Sequence, residues 1–288
     1  RSGGLGAGRP RTLAALAAGL GVLALAGWSA FRPAPSWQPP PGLRVTALDV
    51  GQGDAILLET AAARVLVDQG PPEGDVAGQL ARLGIRSLSA LLLTHPQRDH
   101  VGGAAAVLRR LRVGAVLDPG LAATGPEREE ALAAARERGV PIRVVRAGAV
   151  FRAGGLVLRV LWPQDTGSPA EDPNLNAVVA LASFGDLDVL LPADAESDVT
   201  ASLRLPPVEV LKVAHHGSYD PGLARQLETL RPRIAIVSVG QGNEYGHPRR
   251  ETLAALEAVP GLAVYRTDED GRITLESTAR GLRVTTEE

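Results

Sequence analysis

The five histidines of this chain, at 95, 100, 215, 216 and 247, all stand just past the carboxyl end of an apolar run. Leu88–Thr94 precedes the first two, Val208–Val213 the next pair, and Ile234–Val239 the last. Short apolar runs bounded by turn residues read as buried strands. Sheets built from alternating strands and helices place their sites at the carboxyl ends of those strands. The pattern therefore predicts an α/β chain whose strand ends meet around one site.

The rest of the chain supports that plan. Leu43–Val50, Ala55–Thr60 and Arg64–Asp68 read as successive strands, followed by a helix at Val76–Leu83. Helices at Gly102–Leu111 and Glu127–Arg138 then alternate with strands at Ala115–Leu117, Ile142–Val145 and Leu156–Leu161. Ala177–Phe184 and Leu187–Leu191 form a hairpin about Gly185-Asp186 and open a second series. Its helices fall near Leu223–Leu230 and Arg249–Val259, and its last strand at Leu262–Tyr265. Strand-rich starts followed by β/α alternation, twice over, predict two packed sheets with helices outside.

The densest chemistry lies in Thr94-His95-Pro96-Gln97-Arg98-Asp99-His100-Val101-Gly102-Gly103. Imidazole and carboxylate within six residues of loop can converge on a divalent ion such as zinc, manganese or iron. Asp194 ends the run Leu187–Leu191, His215-His216-Gly217-Ser218 follows another, and His247 sits in Tyr245-Gly246-His247-Pro248. Cysteine is absent, which excludes disulfides, thiolate ligands and a Cys nucleophile.

Thr12–Phe31 is an uncharged stretch of twenty residues, preceded by Arg1, Arg9 and Arg11. At about 1.5 Å per residue it spans a hydrocarbon core of about 30 Å, and the arginines put its amino end in the cytoplasm. Ala24-Leu25-Ala26 also admits a signal-peptide reading; in either case the remainder is exported. The expected organisation is a membrane helix with its basic flank at 1–32, a stiff proline linker at 33–42 and one folded domain at 43–288. Methionine is absent even from position 1, so the chain is expected to be a fragment or a processed product. A net charge of −2 argues against a broad basic face for nucleic acid. Lys212 is the only lysine among 30 basic residues.

The order Leu48-Asp49-Val50-Gly51-Gln52-Gly53-Asp54, Val67-Asp68-Gln69-Gly70, the Thr94–Gly103 loop, Asp194, His215–Ser218 and Tyr245–Pro248 resembles the metallo-β-lactamase superfamily. More narrowly, it resembles the carboxy-terminal domain of the ComEC-type DNA-uptake channel proteins, over about residues 43 to 288. The resemblance implies a four-layer αβ/βα sandwich with one or two divalent ions, manganese or zinc, at its rim. It also implies a domain outside the cell membrane, acting on incoming single-stranded DNA beside the rest of the uptake channel. Carried over, the metal ligands are His95, Gln97, Asp99, His100, Asp194 and a late histidine matched to His247. Gln97 stands where the superfamily has histidine, and Asp172–Asn176 lacks the usual further one. Three readings stay open: two hard ions with amide oxygens filling in, one ion alone, or a site that has lost its ion.

For an active centre, Asp99 is expected to orient the nucleophile and His215 or His216 to protonate the leaving oxygen. Asp68 is expected to support the loop by hydrogen bonds, with Asp54, Lys212, Asn176 and Ser218 as supporting or substrate-contacting residues. Arg98 is a candidate phosphate contact and equally an ordinary exposed arginine. The function expected is a metal-dependent phosphodiester hydrolase of a competence protein. A secreted hydrolase of small esters, lactones or lactams, and a silent DNA-guiding module, are the alternatives.

Overall fold

The structure, a computed structural model, describes residues 37–121, 125–164 and 172–287. An antiparallel meander opens it: β1 (Arg44–Ala47), β2 (Ile56–Glu59) and β3 (Arg64–Val67). The sheet continues in parallel through β5 (Ala90–Leu92), β7 (Val116–Asp118) and β8 (Ile142–Val144). The small ladder β4 (Ser87–Leu88) with β6 (Arg112–Val113) stands apart from it. A second sheet starts as the meander β9 (Val150–Ala153), β10 (Leu156–Trp162), β11 (Val179–Phe184) and β12 (Leu187–Leu191). It then runs parallel through β13 (Val210–Lys212), β14 (Ile234–Val237) and β15 (Ala263–Arg266).

The chain ends in a hairpin that the sequence reading did not anticipate. β16 (Ile273–Thr278) and β17 (Gly281–Thr286) return to the first sheet, with β16 antiparallel to β1. The first sheet is thus eight strands wide and the second seven.

Side chains alternate across each strand, so the sheets are apolar on both faces. Val65, Val67, Ala90 and Leu92 of the first sheet and Ala180, Ala182, Val189 and Val210 of the second fill one core between them. Leu66 and Leu91 point the other way, under the helices Val76–Arg82, Ala104–Arg110 and Pro126–Glu137. Leu190 and Leu211 likewise meet the helices Leu223–Leu230 and Arg250–Glu257. Helix, sheet, sheet, helix is the expected four-layer sandwich.

Among the described residues no helix is long and apolar enough to cross a membrane. The expected helix over Thr12–Phe31 lies outside them. Of the expected linker, Trp37 is held on the domain: its indole N–H donates to Glu59 and the Arg64 guanidinium lies 3.7 Å over its ring.

Candidate metal centre

The carboxyl ends of β3 and β5 in one sheet and of β12, β13 and β14 in the other converge on the histidines. Asp68 follows β3, Thr94 and His95 follow β5, and Asp194 follows β12. His215 and His216 sit in the turn after β13, at φ of 48° and 53°. Left-handed backbone at two successive non-glycine residues costs of order 1–3 kcal/mol each and collects at functional sites. Here it turns both imidazoles back over the strand ends. The five rings form one string, with centroids 4.2 Å apart for His95–His100, 5.2 Å for His100–His216, 6.2 Å for His215–His216 and 5.6 Å for His215–His247.

Each buried imidazole is held by its outer nitrogen. Asp68 accepts the Thr94 amide at 3.0 Å and the Thr94 hydroxyl at 2.7 Å, and His100 Nδ1 stands 2.7 Å from the same carboxylate. The Thr94 hydroxyl, having donated its proton, faces His95 Nδ1 at 2.9 Å. His216 Nδ1 donates to the Ser238 carbonyl at 2.9 Å. With Nδ1 tied outward in all three, Nε2 is the nitrogen turned inward, the arrangement that orients metal-binding histidines.

Asp194 lies between them, buried. Its Oδ1 is 3.1 Å from His100 Nε2 and 3.7 Å from His216 Nε2, while Oδ2 is 3.8 Å from both His95 Nε2 and His215 Nε2. Asp99 Oδ2 closes the first group, 3.3 Å from His216 Nε2 and 3.9 Å from His100 Nε2. Ligand atoms of Asp99, His100, Asp194 and His216 all lie within 4.8 Å of one another. His100 Nε2, His216 Nε2 and both Asp194 oxygens are buried without a hydrogen-bond partner. Lone pairs facing each other across 3 to 4 Å are left unsatisfied unless a cation or a proton sits between them. These residues fit a divalent ion.

The second group is poorer. His95 Nε2 meets Gln97 Oε1 at 3.2 Å, and Asn174, rather than Asn176, reaches inward, its Nδ2 3.5 Å from His215 Nε2. Asn174 Oδ1 is a further buried oxygen without a partner. Asn176 is buried at the end of the same turn, Pro173–Asn176.

Charge follows the geometry. Burial and then the neighbouring His100 pull His95 down to about 3, so its ring is neutral. Burial opposes a charge on His100, but the Asp194 and Asp68 carboxylates outweigh it and raise its pKa well above the ordinary value. Burial alone would raise Asp194, yet His100 and His216 hold it well below the carboxylate range. Asp99 is likewise held down, to about 2, by His216 and His100 against its burial.

The supporting residues sort by position. Asp54 is buried beneath the centre, with Oδ1 3.5 Å from His216 Nδ1 and Oδ2 2.5 Å from the Lys212 ammonium. It comes from the Gly51–Asp54 turn, where Gly53 has φ 142° and a Cβ would fall 2.2 Å from the Asp99 carbonyl. Only glycine lets this turn pack so closely on the metal loop. Ser218 donates to Glu196, whose carboxylate also takes His215 Nδ1 at 2.8 Å. Glu196 escaped the sequence reading; its one signal is a second carboxylate two residues beyond Asp194. Arg98 is exposed and bound to Glu73 at 2.5 Å. Asp49 only caps its own turn, accepting the Gly51 amide at 3.1 Å.

The late histidine that completes the four-residue group is thus His216, whereas the sequence reading had matched His247. His247 sits at the rim, beside His215, with burial first and then His215 lowering it to about 4. Gln52, Gln97, Asp99, His215 and Tyr245 line the mouth with it, a cavity of about 320 Å³.

A four-layer α/β sandwich carrying imidazoles and carboxylates where its two sheets' strand ends meet defines a metallo-hydrolase fold. The chain belongs to the Metallo-beta-lactamase superfamily, whose family model matches residues 48–240. Over 252 residues it is 32% identical to ComE operon protein 3 of Bacillus subtilis, covering 80% of this chain and 32% of that protein. It is 29% identical over 263 residues to Competence protein ComA of Neisseria gonorrhoeae, covering 88% and 34%. The chain therefore spans about a third of the length of these curated relatives. Among solved structures, Igni18, a metallo hydrolase of Ignicoccus hospitalis, superposes with a TM-score of 0.57 at 15% identity, covering 82% of this chain and 100% of that one. That likeness is one of fold.

Proposed function

We propose that this chain is the metal-dependent phosphodiester hydrolase domain of a bacterial DNA-uptake protein, acting on incoming DNA outside the membrane. The observation that carries the hydrolase reading is the set of buried, unpartnered atoms of His100, His216 and Asp194 aimed at one point below an open mouth. The DNA substrate, the channel partner and the exported position rest on the resemblance to competence proteins. The membrane anchor over Thr12–Phe31 belongs to the same proposal.

In this reading Asp99, His100, Asp194 and His216 hold one divalent ion, and His95, Gln97 and Asp194 form a weaker second seat. Bound there, a divalent ion would supply a Lewis acid for a phosphoryl oxygen and a water nucleophilic near neutral pH. Asp99, the most exposed of the four at 30%, orients that water from the mouth. His215 is 31% exposed and tied back through Nδ1 to Glu196, which leaves Nε2 as the nitrogen that protonates the leaving oxygen. Asp68 and Ser238 fix the ring orientations. An amide oxygen at Gln97 favours a hard ion, manganese over zinc, in the second seat. A single-ion centre is the second reading, favoured by the neutral Gln97 amide that stands beside His95 on that side.

The test is cleavage of single-stranded DNA by the full chain after chelation and re-addition of manganese, zinc or magnesium, beside His100→Ala. Ion-restored cleavage that vanishes in the variant is expected. A folded protein that cleaves with none of these ions refutes the nuclease reading.

Gln97→His probes the weak seat. It places a second imidazole beside His95 and is expected to tighten zinc there by about 10- to 100-fold, the scale of a well-placed supporting group. Calorimetric titration should then show two zinc ions per chain. Unchanged stoichiometry and affinity would mean that this half holds no ion.

A further inference from the structure

Only 3% of the residues are aromatic, and three are tyrosines. One of them, Tyr245, is 55% exposed and lines the mouth of the metal centre. Its ring lies 6.0 Å from that of His247, tilted by 33°, so the two form a shelf along one side of the opening. The loop that carries them is fixed from within. Asn243 Nδ2 donates to the carbonyls of Gly240 and His247 at 2.9 and 2.6 Å, and its Oδ1 takes the His247 amide at 3.0 Å. Gly240 in turn donates to Gln52 Oε1 at 3.2 Å, and the Arg249 amide to the Gly217 carbonyl at 2.8 Å. A shelf held this way needs no ordering when something lies on it.

Arg249 and Arg250 follow directly, both exposed, and neither makes an ion pair with the described residues. Acidic side chains flank the stretch at Glu244 and Glu251, with none between them. An exposed aromatic face at the lip of the cavity, followed directly in the chain by two exposed arginines, is a surface suited to unpaired bases and their phosphates. A duplex keeps its bases stacked on one another and offers none to such a shelf.

We infer that the rim Tyr245–Arg250 is a subsite for single-stranded nucleic acid, Tyr245 stacking on an unpaired base and Arg249 and Arg250 taking backbone phosphates. The inference deepens the phosphodiesterase reading and rests on it for the placing of the scissile phosphate. Glu244 trims the net charge of the rim, in keeping with a tethered domain of modest affinity.

The experiment is fluorescence anisotropy of the full chain with a short labelled oligothymidylate and with an abasic strand of equal length. The ion is chelated throughout, so binding is read apart from cleavage. Tyr245→Ala is expected to weaken the oligothymidylate about tenfold, within the roughly 5- to 150-fold range of one stacked base. It should leave the abasic strand unchanged, and Tyr245→Phe should bind as the parent does. Arg249→Ala and Arg250→Ala should weaken both strands and lower the salt slope by about 0.7 each, one phosphate contact apiece. A Tyr245→Ala loss that is equal on the two strands, or absent, overturns the stacking subsite. Hydrolysis of bis(p-nitrophenyl) phosphate with manganese separates the two claims. Base-dependent binding without hydrolysis sinks only the nuclease reading, and hydrolysis without base-dependent binding sinks only the subsite.

Discussion

Asp194→Asn is expected to weaken metal binding by more than about 100-fold and to take hydrolysis below detection. Residues that merely support a ligand cost about 10- to 100-fold when lost, and Asp194 does more than support. Among the described residues it is the one carboxylate whose two oxygens face both groups, Oδ1 toward His100 and His216 and Oδ2 toward His95 and His215. Asparagine keeps the shape and one oxygen but removes the charge and turns an N–H₂ toward an imidazole lone pair. Metal content by mass spectrometry, with calorimetric titration, reads the result. A variant that keeps full stoichiometry at parental affinity would show that Asp194 is not shared. The same geometry sets a sign for pH. His100 is held protonated when its seat is bare, and an ion must displace that proton, so metal affinity falls as pH falls.

Much of the layer plan was legible because it depends on local patterning. The strand Leu187–Leu191 and the helix Leu223–Leu230 are found with the expected bounds. What escaped is what depends on distant partners. β16 carries an ordinary alternation of Ile273 and Leu275, but its place beside β1 joins residues more than two hundred positions apart. The run Leu88–Thr94 breaks at Ser89 because Leu88 pairs with Val113 and Leu91 with Val116, in different sheets. At the site, the residue types at the strand ends pointed to metal chemistry, while side-chain direction stayed hidden. His215 and His216 are told apart only by where a turn with both residues at positive φ, uncommon outside glycine, points each ring. That turn puts His216 beside Asp99 and leaves His215 with Glu196. Asn174 and Asn176 differ in the same way, by which side of a tight turn each occupies.

Lys212 is where residue identity and structure meet most sharply. A chain that otherwise uses arginine alone keeps one lysine, and burial explains why. Val210 and Lys212 face the space between the sheets, and Leu211 faces the outer helices. The Lys212 side chain is 2% exposed and its ammonium meets Asp54 Oδ2 at 2.5 Å, with Asp54 itself 4% exposed. The unbranched stem reaches where a forked guanidinium would need five donors satisfied. The pair ties the first sheet to the second and neutralises one of four carboxylates, Asp54, Asp68, Asp99 and Asp194, gathered under one set of rings. Lys212→Met leaves Asp54 buried and uncompensated, which costs about 3–5 kcal/mol. At roughly 2–4 °C per kcal/mol for a domain of this size, melting should drop by about 6–20 °C. Calorimetry in chelator reads the fold apart from the ion. Lys212→Met combined with Asp54→Leu removes both charges and should regain most of that loss, since a buried pair replaced by apolar side chains is near neutral. Its metal affinity should stay depressed by about 10- to 100-fold, because the carboxylate beside the His100 and His216 Nδ1 atoms is gone. A single variant that melts with the parent would mean that the ammonium is not compensating Asp54. A double variant with parental metal affinity would mean that the pair supports the fold alone.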